Sequence, residues 1–286
     1  MTTDSVTVIT LTRARPELAL RAITSVRGQD YDDDVTHVVI IDECEESADV
    51  LGALESSPGR GLSIVQRKRL ASEHGPASAS RGSVYGRMGR LINAAVAESR
   101  TRWIALLDDD NEFTPDHLRS LRDAATAAAV PAAHSHRTIH WADGSAYLLE
   151  RFPWIADDHL AVVAYHSLCR RGVWERGTNV LKDRAGPLIS GRFLNSTIAG
   201  PLDPVMMVDH STWFVDRSVF LAHPLPENYL QAAIDRNDCP DDCLLEALLR
   251  SGVPIVCSHR ASVRYYLGGI SNPSPSGVDE ERPTPP

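Results

Sequence analysis

Short apolar runs alternate with amphipathic stretches through the first 110 residues of the chain. Runs rich in β-branched residues predict strands that are covered on both faces; they are SVTVITL (5–11), THVVIID (36–42), GLSIVQ (61–66) and RWIALL (102–107). Apolar residues at helical spacing predict helices in PELALRAITSVR, which begins at Pro16, and in GRMGRLINAAVAES. This order predicts an α/β fold with right-handed crossovers, a mainly parallel central sheet and flanking helices.

The second half of the chain is less regular. The patterns predict helices in HLRSLRDAATAAA (117–129) and PDDCLLEALLRSG (240–252), strands in HSHRTIHW (134–141), VPIVCS (253–258) and SVRYYL (262–267), and a strand followed by a helix in STWFVDRSVFL (211–221). Residues 150–205 show no clear periodicity and indicate an irregular lobe or loop region. The proline-rich and serine-rich tail, 269–286, is expected to be disordered. We therefore expect one large domain with halves at 1–115 and 116–268, followed by that tail.

Composition narrows the class of protein. The chain has 286 residues, of which 43% are hydrophobic and 23% charged, as in ordinary globular proteins. Its net charge of −9 argues against a nucleic-acid binder. No apolar run suggests a membrane span, and the N-terminus does not resemble a signal peptide. Five widely spread cysteines argue against a disulfide framework and favour the cytoplasm, and the single pair in CPDDC is not expected to bind zinc.

Acidic residues directly follow two of the predicted strands. Asp42 and Glu43 come after the second strand, and Asp108, Asp109 and Asp110 come after the fourth. Because ligands bind at the carboxyl ends of parallel strands, both groups are expected to face one crevice. Neither a G-x-G-x-x-G fingerprint nor a Walker sequence is present, so a dinucleotide cofactor is not expected.

The three consecutive aspartates need a physical reason to be together. The next helix has its own start at Thr114 and Pro115, so the aspartates are not needed as a cap. Clustered carboxylates raise one another's pKa unless a cation neutralises them. Mg²⁺ characteristically takes one or two carboxylates together with substrate phosphates. The cluster therefore indicates a metal site for a phosphorylated ligand.

Several stretches resemble the GT-A glycosyltransferases, specifically the inverting glycosyltransferase family 2 and its spore-coat-type bacterial members. LDDDN after an apolar strand resembles the D-x-D region of that family. The opening strand and helix, VVIIDECEES, the helix and strand before LDDDN, and PDDCLLEALLRSG resemble further parts of it in the same order. The resemblance covers roughly residues 5–120 and 205–255. It implies a GT-A (Rossmann-like) fold with a donor-binding half, a smaller acceptor-side region and Mg²⁺ or Mn²⁺ as cofactor.

Carried over to this chain, the resemblance implies roles for individual residues. Asp241 is the expected general base and Asp242 the second candidate, although either could simply cap the helix. A metal would be bound by Asp110, with Asp108 and His259 as further candidates, and which two of the three aspartates form the functional pair stays open. The residues expected to bind the nucleotide sugar are Thr10, Thr12, Arg13, Asp42, Glu43, Arg81, Arg87, Asp108 and Asp109. Arg90 could also reach phosphate oxygens, but each arginine could equally be part of a solvated helix face.

Two departures from the family pattern leave details open. The first strand ends in TLTRAR where family members commonly have Pro-Thr-Tyr-Asn, so the base of the nucleotide is undetermined. Pro240 precedes Asp241 where the family often has glutamate. His134, His136 and His140 share one face of a predicted strand and could form a metal site, although a structural role is the more ordinary use. His210 precedes the strand that leads to the acceptor region.

The resulting hypothesis is a metal-dependent, inverting hexosyltransferase. It would move a sugar from a UDP or GDP donor to a hydroxyl of a small-molecule or saccharide acceptor, in a single displacement assisted by a carboxylate base. The alternatives are a nucleotidyltransferase acting on a sugar phosphate and a degenerate, non-catalytic nucleotide-sugar-binding module. The former usually has a glycine-rich loop after its first strand, which TLTRARPEL lacks. The sequence leaves the acceptor, the pathway and the oligomeric state undetermined.

Overall fold

A computed structural model describes residues 4–55, 61–69, 73–74, 80–186, 207–235 and 238–268. The first half contains the four predicted strands and both predicted helices, together with one helix at 45–52 that was not predicted: β1 (Val6–Thr12), α1 (Pro16–Arg27), β2 (Val35–Asp42), α2 (Glu45–Gly52), β3 (Gly61–Arg67), α3 (Arg81–Glu98) and β4 (Trp103–Leu106). The predicted tail at 269–286 and part of the irregular stretch, 187–206, lie outside the described residues.

The second half departs from the sequence pattern in several places. Its elements are β5 (Glu112–Phe113), α4 (His117–Ala128), β6 (Ala132–His140), α5 (Asp158–Arg170), β7 (Val180–Leu181), β8 (Trp213–Asp216), α6 (Arg217–Ala222), α7 (Gln231–Asp235), α8 (Pro240–Arg250) and β9 (Ile255–Tyr266). Helix α5 was not predicted, and neither were the short elements β5, β7 and α7. Helix α4 begins at His117 rather than near Thr114, whose hydroxyl donates to Asp116. The two predicted closing strands are one strand, β9, interrupted only by a bulge.

The sheet is mixed but mostly parallel, with the order β3-β2-β1-β4-β8-β6-β9-β5, and β7 pairs with β6. Strands β3, β2, β1 and β4 are parallel, β8 is antiparallel to both of its neighbours, and β6 and β9 are parallel to each other. The carboxyl ends of β1, β2 and β4 therefore meet at one edge, where ligands bind in such sheets.

Successive side chains along a strand point to opposite faces of the sheet, and helices pack against both faces. In β4, Ile104 and Leu106 belong to a core shared with α3 and α8, while Trp103 and Ala105 belong to one shared with α1 and α4. A third, aromatic core beneath α5 includes Tyr165. Two-sided burial explains why β4 is apolar throughout and why even the threonines of β1 are buried. Within the described ranges, the structure contains no helix of the length and apolarity that a membrane crossing requires.

Helix α3 packs directly on the backbone that precedes α7, and two of its glycines permit this contact. A Cβ atom built at Gly86 would lie 2.3 Å from the carbonyl oxygen of Glu227, and one at Gly89 would lie 2.2 Å from that of Pro226. Neither approach is tolerable without movement of the backbone. These small residues therefore set how closely α3 approaches the segment at 225–228.

We expect Gly89→Ala to lower the free energy of unfolding by about 1–3 kcal/mol, because the methyl group would force α3 away from Pro226. The matched control is Gly52→Ala in α2, where no atom lies within 4 Å of the added methyl group. There the better helix propensity of alanine should leave stability equal or slightly higher. Urea unfolding measures both changes. Equal stability of the two variants would contradict the close packing described for α3.

Candidate active site

A pocket of about 670 Å³ opens at the carboxyl ends of β1, β2 and β4. It is bordered by the loop after β4, by α3, and by the amino end of α8. Ten of the sequence-predicted residues line it: Thr12, Arg13, Asp42, Arg81, Arg87, Asp108, Asp109, Asp110, Asp241 and Asp242. Arg90 lines it as well. The topology thus brings acidic groups that are up to 200 residues apart in sequence into one site.

Three predicted residues do not line this pocket. The Thr10 hydroxyl lies inside the sheet, 2.9 Å from Nε2 of His37. Glu43 follows Asp42, but its carboxylate accepts a hydrogen bond from the backbone N–H of Arg69. His259 lies in the bulge of β9, with its ring 5.9 Å from that of His136. The structure therefore separates His259 from Asp108 and Asp110, with which the sequence had grouped it as a metal ligand.

Two arginines hold the carboxylate of Asp42 at one end of the pocket. Nε of Arg87 donates to Asp42 Oδ1 at 2.6 Å, and Nη2 of Arg69 donates to Oδ2 at 2.7 Å. Burial alone would raise the pKa of Asp42, but these hydrogen bonds lower it below the ordinary value. Arg87 and Arg90 also pair with Glu73. This end of the pocket is consequently rich in guanidinium groups that already form ion pairs with carboxylates.

Arg15 is a pocket residue that the sequence analysis missed. It pairs with Asp109 at 2.5 Å and with Asp110 at 3.1 Å, and the Thr12 hydroxyl donates to Asp109 at 2.6 Å. Burial raises the pKa of Asp109 to about 6, although Arg15 and Thr12 oppose the rise. The only signal in the sequence was the position of Arg15 at the end of the loop after β1, immediately before Pro16.

Asp108 differs from its two neighbours because it is stabilised by neutral donors. Ser211 Oγ donates to its carboxylate at 3.1 Å, and Asn111 Nδ2 lies 3.3 Å away. Burial raises the pKa of Asp108 to about 8; His210 opposes the rise, and Asp209 and Asp110 add to it. Ser211 also accepts the backbone N–H of Asp108 at 3.0 Å. The loop after β4 is thereby fixed to the short 3₁₀ helix His210–Thr212.

The two aspartates at the start of α8 have different partners. Asp242 accepts hydrogen bonds from the backbone N–H and the thiol of Cys239, at 3.2 and 2.8 Å, so it caps the helix. Asp241 instead lies 3.2 Å from Nδ1 of His210. Burial would lower the pKa of His210, but Asp108 and Asp241 raise it to about 9. At neutral pH the ring is therefore a cation beside the Asp241 carboxylate.

A buried cluster of charged side chains lies next to the end of the pocket that holds His210 and Asp241. Arg137 on β6 pairs with Asp209 and lies 3.3 Å from Asp183. The backbone N–H of Asp209 donates to Asp183 at 3.1 Å, and the Asp209 carboxylate accepts the backbone N–H of Ser211 at 3.0 Å. Asp209 adjoins His210, so the cluster fixes the segment that holds the histidine. Its members come from three separate segments, and no local pattern in the sequence marked them.

The loop after β4 has the ligands for a hard divalent cation. Asp108 and Asp110 both line the pocket, and carboxylate oxygens suit Mg²⁺ or Mn²⁺. Burial is the main cause of the raised pKa of Asp108, and a bound cation would favour its ionised form. In the described part of the chain, no three acidic groups of this pocket bring ligand atoms within 4.8 Å of one another. The arrangement thus fits an ion that takes one or two carboxylates and completes its shell with water or phosphate oxygens.

Comparisons with known proteins show partial likeness. No protein-family model matches the sequence. The succinoglycan biosynthesis protein ExoO of Rhizobium meliloti (strain 1021) is 33% identical over 129 residues, which are 44% of this chain and 31% of ExoO. The matched region therefore spans less than a third of that relative.

Solved structures show the fold. S. aureus TarS 1–349 in complex with UDP-GlcNAc is 13% identical with a TM-score of 0.53, over 92% of this chain and 58% of that chain. The mannosyltransferase PcManGT from Pyrobaculum calidifontis, in complex with GDP-Man and Mn²⁺, is 13% identical with a TM-score of 0.52, over 92% and 57% of the two chains. The chain thus spans less than two thirds of both structures, and the likeness confirms the predicted α/β fold of GT-A type.

The contact between His210 and Asp241 predicts an NMR titration. We expect the His210 ring to titrate with a pKa of about 9. Asp241→Asn should lower this pKa by about one to three pH units, because a neighbouring negative charge is lost. Asp242→Asn is the matched control and should leave the pKa nearly unchanged, since Asp242 is engaged with Cys239. An Asp241→Asn variant with the same His210 pKa as the unmodified protein would contradict the pairing.

Proposed function

We propose that this protein is a metal-dependent, inverting glycosyltransferase of family 2 that uses a UDP or GDP sugar. The observation that carries the proposal is the division of one pocket into two acidic ends. Asp108, Asp109 and Asp110 lie on the strand edge, and Asp241 lies with His210 at the start of α8. One end suits the departing diphosphate and the other suits the attacking hydroxyl. The GT-A fold, and the UDP-GlcNAc and GDP-Man bound to neighbours of that fold, support this assignment.

In this proposal the first half of the chain, residues 1–115, binds the donor. Asp42, held by two arginines, contacts the nucleoside, while Arg13 and Arg81 supply positive charge for the diphosphate. Arg15 already neutralises Asp109 and Asp110, and its guanidinium can also donate to a phosphate oxygen. Asp108 and Asp110 would hold the divalent cation, which when bound would stabilise the charge that develops on the departing nucleoside diphosphate.

Asp241 acts as the general base in the second half, residues 116–268. Its carboxylate removes the proton from the acceptor hydroxyl as the oxygen attacks the anomeric carbon of the sugar. The attack comes from the side opposite the diphosphate, so the configuration inverts, and no covalent sugar–enzyme intermediate forms. The cationic ring of His210 positions the Asp241 carboxylate. Asp242 keeps a structural role as the cap of α8.

In this proposal the second half of the chain also binds the acceptor. The aromatic core beneath α5 stands where the sequence pattern was irregular, and the neighbouring segment at 187–206 lies outside the described residues. The partial similarity to ExoO supports a saccharide acceptor, with a small metabolite as the other candidate. All five cysteines are free thiols, which suits the cytoplasm as the proposed location.

Donor binding is expected to require a divalent cation and the carboxylate of Asp110. In calorimetric titrations with UDP and with GDP, each in Mn²⁺ or in EDTA, we expect one nucleotide to bind at least about tenfold more weakly in EDTA. Asp110→Asn should weaken binding in Mn²⁺ by a similar factor. The matched control, Asp49→Asn, removes a carboxylate from the exposed surface of α2 and should have no effect. Nucleotide affinity that is equal in Mn²⁺ and EDTA would contradict a metal-dependent donor site.

Asp241 is expected to affect turnover rather than nucleotide binding. Asp241→Asn should lower kcat by about 10²- to 10⁴-fold, since the general base is lost, and should leave the nucleotide Kd within about twofold. The assay follows nucleotide release from the preferred donor with a panel of saccharide acceptors. Asp242→Asn, the matched control, should lower the melting temperature through the lost cap and retain most of kcat. A large loss of kcat in Asp242→Asn, with kcat retained in Asp241→Asn, would transfer the catalytic role to Asp242.

A further inference from the structure

A second group of metal-ligating side chains lies outside the pocket described above. His134 and His136 on β6 and Cys257 on β9 bring one ligand atom each within 4.8 Å of one another. Over the described ranges, no other three histidine, cysteine or acidic side chains come so close together. None of the three lines the pocket of Asp108–Asp110.

Pairing between β6 and β9 produces this group. His134 is paired with Cys257, whereas His136 is paired with Ala261, so the three residues at 258–260 stand opposite the single residue Ser135. The extra residues form a bulge, in which His259 has a φ of +57°. Because side chains two apart on a strand point to the same face, both histidines lie on one side of β6. Bulges of this kind redirect side chains and recur beside functional sites.

The side chains are oriented and mostly buried. His134 and His136 are 2% and 7% exposed. Nδ1 of His134 lies 3.1 Å from the carbonyl oxygen of Ser135. Metal-ligating histidines typically make such a bond with the nitrogen that does not bind the metal. Burial lowers the pKa of both rings to about 4, so both are neutral at pH 7 and have a free lone pair.

Cys257 completes the group with a sulfur atom. Its Sγ lies 3.7 Å from ring nitrogens of His136 and accepts the backbone N–H of His259 at 3.3 Å. Zn–S and Zn–N bonds of about 2.3 and 2.1 Å place neighbouring ligands of a tetrahedral ion roughly 3.5 Å apart. The separation of Cys257 from His136 is therefore already close to that of bound ligands.

We propose that His134, His136 and Cys257 bind one Zn²⁺ ion in a structural site that joins β6 to the bulge of β9. Two imidazoles and a thiolate are ligands that Zn²⁺ prefers, and they differ from the oxygen ligands that suit Mg²⁺ or Mn²⁺. When the ion binds, the Cys257 S–H bond breaks, the thiolate sulfur bonds to zinc, and the proton passes to solvent. The fourth position is left for water or for the exposed ring of His259.

This site would fix part of the framework on which the pocket depends. Arg137, which holds Asp209, directly follows His136 on β6. Tyr265, another pocket residue, lies further along β9. A metal bound to both strands, at positions that precede Arg137 and Tyr265, would therefore stabilise the wall of the pocket without contacting the substrate. This proposal does not depend on the glycosyltransferase assignment.

Cobalt substitution tests the proposal through the absorption of the metal–thiolate bond. We expect metal-free, full-length protein to take up one equivalent of Co²⁺ with a thiolate-to-cobalt charge-transfer band in the near ultraviolet, which Zn²⁺ abolishes. Cys257→Ser should lose the band. Cys169→Ser, a matched control at a free thiol elsewhere, and Asp110→Asn, which changes only the donor pocket, should both keep it.

Thermal unfolding supplies a second test that does not depend on the spectrum of a variant. Adding Zn²⁺ to the metal-free protein should raise the melting temperature in a concentration-dependent way, equally in Asp110→Asn. No such rise is expected in His134→Gln or Cys257→Ser. The proposal is overturned if the unmodified protein shows no thiolate band with Co²⁺, or if the band or the Zn²⁺-dependent rise persists in Cys257→Ser. Failure of nucleotide binding in Asp110→Asn would bear only on the donor site.

Discussion

Repulsion between carboxylates is the constraint on which this structure depends. Six separate segments bring acidic side chains to one pocket, and most of these side chains pair with an arginine or with His210. Arginines from the loop after β1, from α3 and from β6 neutralise Asp109, Asp42 and Asp209 respectively. Asp108 instead has hydrogen bonds from the neutral donors Ser211 and Asn111, and burial raises its pKa. The charges are thus nearly balanced before any ligand enters, and the remaining imbalance lies where a divalent cation fits best.

The sheet topology explains how residues so far apart in sequence share this pocket. Parallel pairing of β1 with β2 and β4 aligns their carboxyl ends. Antiparallel β8 then lies between β4 and β6, so the segment that enters β8 passes beside the loop that leaves β4. Ser211 bonds to Asp108 at this crossing and places His210 next to Asp241. The end of the pocket that holds His210 and Asp241 consequently depends on β8, which runs antiparallel to both of its neighbours.

The two cation sites inferred from this structure follow opposite ligand chemistry. The pocket offers carboxylate oxygens around a space large enough for a nucleotide, which suits a hard ion that shares its shell with phosphate. The bulge of β9 offers two neutral imidazoles and a thiol in a mostly buried setting, which suits zinc. Arg137 and Asp209 lie between these regions and connect β6 to the segment that carries His210. A structural ion at the bulge and a catalytic ion in the pocket would therefore stabilise different parts of one framework.

The sequence by itself determined the first half of the fold, because two-sided burial leaves apolar strands and amphipathic helices with unmistakable periods. It also placed Asp42 and Asp108–Asp110 on one edge, since that follows from parallel strand order alone. Helix α5, the single strand β9 and the different partners of Asp241 and Asp242 were decided only by the tertiary structure. So were Arg15, His210 as the partner of Asp241, and Cys257, which replaces His140 beside His134 and His136. The physical reason is that periodicity records how each segment faces the core, whereas partners across the sheet depend on strand order and register, which no local pattern contains.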